Sequence, residues 1–167
     1  MNNNPIVYKY YSKGIECIIN YDDGILNIEF HPTNKVYYWL IKRLNTQKKN
    51  GIHSGYLKSF LLISKNLWKE QNNLLIAAEQ VNVIGFGVGG AIAKLFCLEY
   101  FRRYHQTSSI VTYDSPIPFD DAKLEEFNTA VHHQRHYIFG LNLVNNFRWR
   151  VIKQMFTPKL KLKRNEM

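Results

Sequence analysis

The sequence contains few cysteines. It has two in 167 residues, Cys17 in a strand-like segment and Cys97 in a helix-like segment. Two cysteines are too few for a disulfide framework or a cysteine-based metal centre. We therefore expect both to be free thiols in a hydrophobic core, and we predict neither a metal site nor a cofactor.

The chain also lacks a long hydrophobic run. No stretch reaches the roughly 18 apolar residues of a membrane-spanning helix, and the start, Met-Asn-Asn-Asn-Pro, lacks the basic and apolar segments of a signal peptide. We therefore expect no transmembrane segment and no secretion by a signal peptide. The expected location is the cytoplasm or a virion. The abundance of Asn, Lys, Ile and Tyr is typical of an AT-rich genome, such as that of a low-GC bacterium or one of its viruses, and a virion component is one interpretation.

Acidic residues are outnumbered, and the excess positive charge is concentrated at the C-terminus. The formal net charge is +9, and residues 148–167 contribute seven basic residues against one acidic residue. This segment opens with Arg148, Trp149 and Arg150, and such a mixture of basic and aromatic side chains favours contact with an acidic surface or a nucleic acid. We therefore predict one domain over residues 1–147, followed by a basic tail that binds a protein partner or supports self-assembly.

Strand-like and helix-like segments alternate along the rest of the chain. Residues 14–20 and 25–30 are apolar and β-branched, and the Asp-Gly pair between them predicts a hairpin. Helical spacing predicts helices at residues 36–44, 57–70, 89–104 and 120–132, and short apolar runs predict strands ending at Ile84 and covering residues 109–113 and 135–140. This order predicts an α/β fold, with a mainly parallel central sheet flanked by helices and an antiparallel N-terminal hairpin.

A glycine-rich turn lies between the strand ending at Ile84 and the helix at residues 89–104. Strand, sharp turn and helix form the nucleophile elbow of α/β-hydrolases, whose pattern is Gly-x-Ser-x-Gly. Here the serine position is held by Gly87. The pattern therefore predicts an elbow without its nucleophile.

The same glycines fit a second pattern. Gly85, Gly87 and Gly90 match the dinucleotide-binding fingerprint, with Asp114 after the next strand as the ribose ligand. The mid-chain position of the motif and the long interval from Gly90 to Asp114 weigh against this interpretation. Binding of NAD or FAD remains an alternative at this point.

Five segments in the same order make the chain resemble the class 3, or fungal-type, lipases. Residues 30–33, Phe-His-Pro-Thr, look like the family's Phe-Arg-Gly-Thr, and residues 53–56 look like its His-x-Gly-Phe. Residues 83–93 are similar to the Gly-His-Ser-Leu-Gly-Gly-Ala elbow, residues 112–116 to Thr-Tyr-Gly-x-Pro, and residues 136–144 to the strand with Asp-x-Val. The resemblance covers about residues 14–147 and implies a shortened α/β-hydrolase fold.

The resemblance also implies that the catalytic triad is missing. Gly87 takes the place of the serine, Asn142 takes the place of the acid, and no histidine follows His136. We therefore expect a lipase-like pseudoenzyme that acts as a binding, structural or assembly protein. A viral protein is one interpretation. The residues that we expect to serve binding are Thr33, Phe86, Val88, Arg148, Trp149 and Arg150.

A hydrolase that uses a non-standard residue is the alternative function. Ser115 lies beside Asp114 after a predicted strand, and His132, His133 and His136 follow in the sequence. Ser115 with His136 is the candidate nucleophile and base. A serine before proline commonly shapes a turn, and histidines at a helix end commonly cap it or face solvent, so the structural interpretation competes with the catalytic one.

Overall fold

The computed structural model describes residues 6–12, 14–33 and 48–138, which form eight strands and three helices. In chain order these are β1 (Ile6–Ser12), β2 (Ile15–Asp22), β3 (Ile25–Pro32), β4 (Lys48–Lys49), β5 (Ile52–His53), α1 (Ser54–Ala77), β6 (Gln80–Phe86), α2 (Val88–Tyr104), β7 (Ser109–Tyr113), α3 (Asp121–Ala130) and β8 (His133–Tyr137). The predicted helix at residues 36–44, the domain boundary at residue 147 and the tail lie outside the described residues.

The main sheet has the strand order β1-β2-β3-β6-β7-β8. Strands β1, β2 and β3 are antiparallel neighbours, whereas β3, β6, β7 and β8 are paired in parallel. The β2–β3 turn places Asp23 at φ 43° and Gly24 at φ 78°, as a tight hairpin turn requires. The predicted α/β fold with an antiparallel hairpin at its start is confirmed, and β1 adds an unpredicted third antiparallel strand.

The core lies between the sheet and helices α1 and α2. Alternate residues of β3 and β6 are buried, as expected when one face of a sheet is covered. Helix α2 is buried continuously from Val88 to Leu98, because it packs against β3, β6, β7, α1 and α3. Cys17 and Cys97 are both fully buried free thiols, as predicted. Burial raises the pKa of both, so they are protonated and unreactive.

Some predicted boundaries were wrong. Helix α1 runs to Ala77, beyond residue 70, because Gln71 and Leu75 continue its buried face. Helix α3 ends at Ala130 instead of residue 132, because His133 already pairs with Ser109 of β7. Strand β8 therefore starts two residues earlier than predicted and ends at Tyr137.

Candidate functional site

The turn between β6 and α2 has the geometry of an elbow. Gly87 is the single residue between the two elements, with φ 51° and ψ −121°, a conformation that residues with a side chain rarely adopt. Its N–H donates to the carbonyl oxygen of Tyr113 at 2.8 Å, and its own carbonyl accepts from the N–H of Gly90 at 3.0 Å. The backbone thus makes the sharp strand-to-helix reversal that the sequence predicted.

Among the described residues, little lies where a side chain at Gly87 would project. An added Cβ would meet Cγ of Pro32 there, at 4.0 Å. The position therefore has room for a nucleophile but supplies no atom that could act as one. No acyl-enzyme can form on Gly87.

The other glycines of the turn are explained by close packing of α2. A Cβ on Gly85 would lie 2.5 Å from Cα of Gly90, and a Cβ on Gly89 would overlap the carbonyl oxygen of Phe30. A Cβ on Gly90 would lie 2.5 Å from Oγ of Ser115. Gly85 and Gly90, which suggested a dinucleotide site, thus bring α2 against β6 and the loop after β7, and Gly89 brings it against β3.

Four rings form an aromatic ladder beside the elbow, made of His31, Phe86, Tyr113 and Tyr137. Successive ring centroids are 4.7, 4.9 and 5.2 Å apart, with interplanar angles of 18°, 10° and 13°. The rings belong to β3, β6, β7 and β8, so the ladder crosses the four parallel strands at their carboxyl ends. His31 is also held by Glu29, whose Oε2 lies 2.8 Å from Nε2.

The three predicted binding positions near the elbow have different environments. Thr33 is exposed, and its N–H donates to the carbonyl oxygen of Gly14 at 2.8 Å. Phe86 is partly exposed within the aromatic ladder, whereas the side chain of Val88 is buried. Thr33 and Phe86 are therefore the residues that can contact a ligand through their side chains.

Asp114, the ribose ligand of the dinucleotide alternative, directly follows β7. It has φ 49°, and its N–H donates to the carbonyl oxygen of Tyr137 at 2.8 Å. Asp tolerates the left-handed region better than most residues do. Asp114 therefore shapes the turn where the lipase resemblance places a glycine.

Ser115 is paired with a lysine that the sequence interpretation missed. Nζ of Lys94 lies 3.1 Å from Oγ of Ser115 and 3.3 Å from the carbonyl oxygen of Pro116. Lys94 is only 5% exposed, and burial lowers its pKa to about 7. The signal in the sequence was a single lysine inside the apolar run of α2.

His136 does not pair with Ser115 as predicted. Its Nδ1 hydrogen-bonds with Oγ1 of Thr112 at 2.6 Å, and its Nε2 lies 3.2 Å from Oε1 of Gln134. Burial, and to a lesser degree the charge of Lys94, lowers the pKa of His136 to about 3. The ring is therefore neutral near pH 7 and bound to β7, so the partner of Ser115 is Lys94.

The remaining features are metal ligands, membrane-spanning helices and the predicted residues near the C-terminus. Within residues 6–12, 14–33 and 48–138, no group of three or more His, Cys, Asp or Glu side chains could hold a metal ion. In the same ranges, no helix has the length and hydrophobicity needed to cross a membrane. Asn142, Arg148, Trp149 and Arg150 lie outside the described residues.

Solved structures of fungal lipases have a similar fold. The lipase of Rhizopus microsporus var. chinensis matches with a TM-score of 0.73 and 19% identity, over 89% of this chain and 57% of that one. Lipase II of Rhizopus niveus matches with a TM-score of 0.73 and 16% identity, over 88% and 62% of the two chains. A triacylglycerol lipase whose catalytic centre is a serine protease triad matches with a TM-score of 0.65 and 15% identity, over 88% and 61%.

This chain thus spans about three fifths of the length of these lipases. No curated protein matches its sequence. Residues 22–154 match the family described as lipase (class 3), which is most of the chain. Together with the β6–Gly87–α2 elbow, this match shows that the chain belongs to the class 3 lipase family.

Proposed function

We propose that this class 3 lipase-fold protein does not perform the family's triad chemistry and acts as a binding or assembly protein. One observation carries the proposal: Gly87 stands in an intact elbow, and a glycine has no side chain that could act as a nucleophile. One similar lipase has a catalytic centre formed by a serine protease triad. A triad of that kind needs an Oγ at the elbow.

The position of the acid supports the same proposal. The lipase resemblance places Asn142 there, and a neutral amide cannot stabilise an imidazolium as a carboxylate does. Since two triad positions are changed, restoring one of them would not rebuild the triad. A fold that loses its chemistry keeps its surfaces, and these are available for binding.

The contact region that we propose combines two parts of the chain. Thr33 and Phe86 lie beside the open elbow, and Arg148, Trp149 and Arg150 add charge and an aromatic ring near the C-terminus. The proposed partner is an acidic protein surface or a further copy of this chain, with nucleic acid as the alternative ligand of the basic tail. The proposed location is the cytoplasm or a virion.

Native mass tests this proposal. Light scattering after gel filtration is measured on the purified chain and on the chain in an extract of its source, beside a variant carrying Arg148→Gln, Trp149→Ala and Arg150→Gln. We expect the wild type to exceed the 19.8 kDa monomer and the variant to be monomeric. A control with Lys159→Gln and Lys161→Gln removes the same charge and should still assemble. A wild-type monomer in both preparations would overturn the proposal.

A further inference from the structure

A lysine amine and a serine hydroxyl meet at the carboxyl end of the sheet, one strand away from the elbow. Nζ of Lys94 and Oγ of Ser115 are 3.1 Å apart, within the reach of a general base and its nucleophile. Lys94 comes from α2, and Ser115 comes from the loop after β7. Neither residue belongs to the elbow, and the triad pattern assigns no role to either.

We propose that Ser115 and Lys94 form a serine–lysine nucleophile–base pair that hydrolyses small carboxylic esters. Serine paired with lysine is a known variant of the serine–histidine arrangement. This activity goes beyond the proposed binding function and does not depend on it, because it uses neither Gly87 nor the C-terminal tail.

Burial distinguishes the roles of the two side chains. Lys94 is buried, whereas Ser115 is partly exposed, so substrate and water approach the pair from the Ser115 side and meet the amine across the hydroxyl. The buried amine has a pKa of about 7, and a substantial fraction of it is therefore neutral near pH 7. A neutral amine is the form that can accept the serine proton.

The surroundings hold the pair in position. The carbonyl oxygen of Pro116 accepts from Nζ of Lys94 at 3.3 Å and from Oγ of Ser115 at 3.0 Å. This shared acceptor holds the two side chains together, and the hydroxyl turns from it towards Nζ for the proton transfer. Ser115 also lies against Gly90 in the first turn of α2. The positive end of the helix dipole at this turn favours negative charge that develops beside Ser115.

The reaction consumes one ester and one water. Neutral Lys94 takes the proton from Oγ of Ser115 while Oγ bonds to the ester carbonyl carbon. The C–O bond to the alcohol then breaks, and the Lys94 ammonium gives its proton to the leaving oxygen. Water attacks the acyl-serine with Lys94 accepting its proton, Oγ leaves and is reprotonated, and the carboxylic acid is released.

Esters are favoured over amides as the substrate class, because an alkoxide leaves with less assistance than an amine does. Small acyl groups are favoured because Ser115 is only partly exposed and is packed closely against Gly90. Burial and, to a lesser degree, the charge of Lys94 lower the pKa of His136 to about 3, so this histidine is neutral at the working pH.

The test is covalent labelling of the full chain with a fluorophosphonate, followed by peptide mapping, with hydrolysis of 4-nitrophenyl acetate measured in parallel. We expect label on Ser115, at a rate that rises with pH around a midpoint near 7. Lys94→Met should slow labelling by about 100-fold or more, which is the usual contribution of a general base. Lys94→Arg should also be slow, because arginine cannot act as a neutral base.

Two further variants keep the test decisive. Ser115→Ala removes one hydroxyl and should abolish both labelling and hydrolysis in a protein that circular dichroism shows to be folded. The control is Ser109→Ala. Ser109 lies at the other end of β7 and donates to Oδ1 of Asn82 at 2.7 Å, so Ser115 should be labelled in this variant at the wild-type rate. Absence of label on Ser115 in the folded wild type overturns the pair. The native mass is expected to be unchanged by Ser115→Ala, so the two proposals fail separately.

Discussion

The turns after β6 and β7 share a positive φ and a hydrogen bond to the next strand, and they differ in chemistry. Gly87 follows β6 with φ 51°, and Asp114 follows β7 with φ 49°. Each donates its N–H to the last residue of the next strand at 2.8 Å, Gly87 to Tyr113 and Asp114 to Tyr137. The turn at Gly87 is followed by a helix and has no reactive atom. The turn at Asp114 is followed by a loop whose first residue, Ser115, contacts a buried amine.

This difference separates what shapes a turn from what makes it reactive. At both turns the shape follows from hydrogen bonds between neighbouring parallel strands and from a residue that tolerates positive φ. Reactivity depends on a nucleophile beside a base, and side chains alone supply this. The elbow therefore keeps its form with Gly87 at the serine position. In the turn after β7, by contrast, the Ser115 hydroxyl is paired with Lys94.

The largest expected effect breaks the packing that holds the elbow. Gly89→Ala would place a methyl group on the carbonyl oxygen of Phe30, and backbone at that position cannot move without shifting β3. We expect the free energy of unfolding to fall by about 3 kcal/mol, at the upper end of typical overpacking. The measurement is urea unfolding followed by circular dichroism.

Gly87→Ala is the matched control for that change. Among the described residues its Cβ would meet Pro32 alone, at 4.0 Å, so the expected loss comes from backbone strain and is about 1–2 kcal/mol. Equal losses for Gly87→Ala and Gly89→Ala would mean that close packing does not explain the glycines of the elbow.

The next prediction concerns the buried amine of Lys94. The folded pKa of about 7 lies below the ordinary lysine pKa of 10.5, so between these two values the unfolded chain binds the additional proton. Folding stability therefore rises with pH in this window, by up to about 1.4 kcal/mol per pH unit. Lys94→Met lacks the group, and we expect the wild type to gain about 2 kcal/mol relative to this variant between pH 7 and 9. The measurement is urea unfolding of both proteins at pH 7 and pH 9. A difference in the free energy of unfolding that stays constant between these pH values would contradict a lowered pKa for Lys94.

Local patterns in the sequence were sufficient to predict much of the fold. The β2–β3 hairpin was visible in Asp23 and Gly24, and the elbow was visible in its glycines, because each feature depends on adjacent residues. Strand β1 was missed because none of its residues is fully buried, and Tyr8, Tyr10 and Ser12 on its inward face are only half-buried. An edge strand such as β1 is therefore hard to tell from an exposed terminus by its local sequence pattern.

The Lys94–Ser115 pair could not be predicted for a different reason. The two residues are 21 positions apart, and they meet because α2 crosses the end of β7. A lysine in an apolar helix is normally placed at the surface by its long side chain. The sequence therefore indicated the serine and suggested His136, which the parallel pairing of β8 with β7 instead places beside Thr112.

A smaller effect concerns His136, whose pKa is lowered by burial and by the charge of Lys94. Its folded pKa of about 3 is below the ordinary histidine pKa of 6.5, so stability is lost as the pH falls below 6.5 and the unfolded chain takes up the proton. Between pH 6.5 and 5.5 we expect the wild type to lose about 1 kcal/mol relative to His136→Asn. Chemical unfolding at these two pH values checks the sign. A wild type that holds its stability on acidification as well as the variant does would place His136 in solvent.

The last prediction compares two substitutions of Asp114, in the turn after β7. Asp114 has φ 49°, and both Asp114→Gly and Asp114→Ala remove the carboxylate. The difference between these two variants therefore isolates the backbone, and the left-handed conformation should make the alanine variant less stable by about 1 kcal/mol. Thermal unfolding of the two variants side by side measures it. If alanine is tolerated as well as glycine, then positive φ is not the property that Asp114 shares with Gly87, and the resemblance between the two turns is limited to their hydrogen bonds.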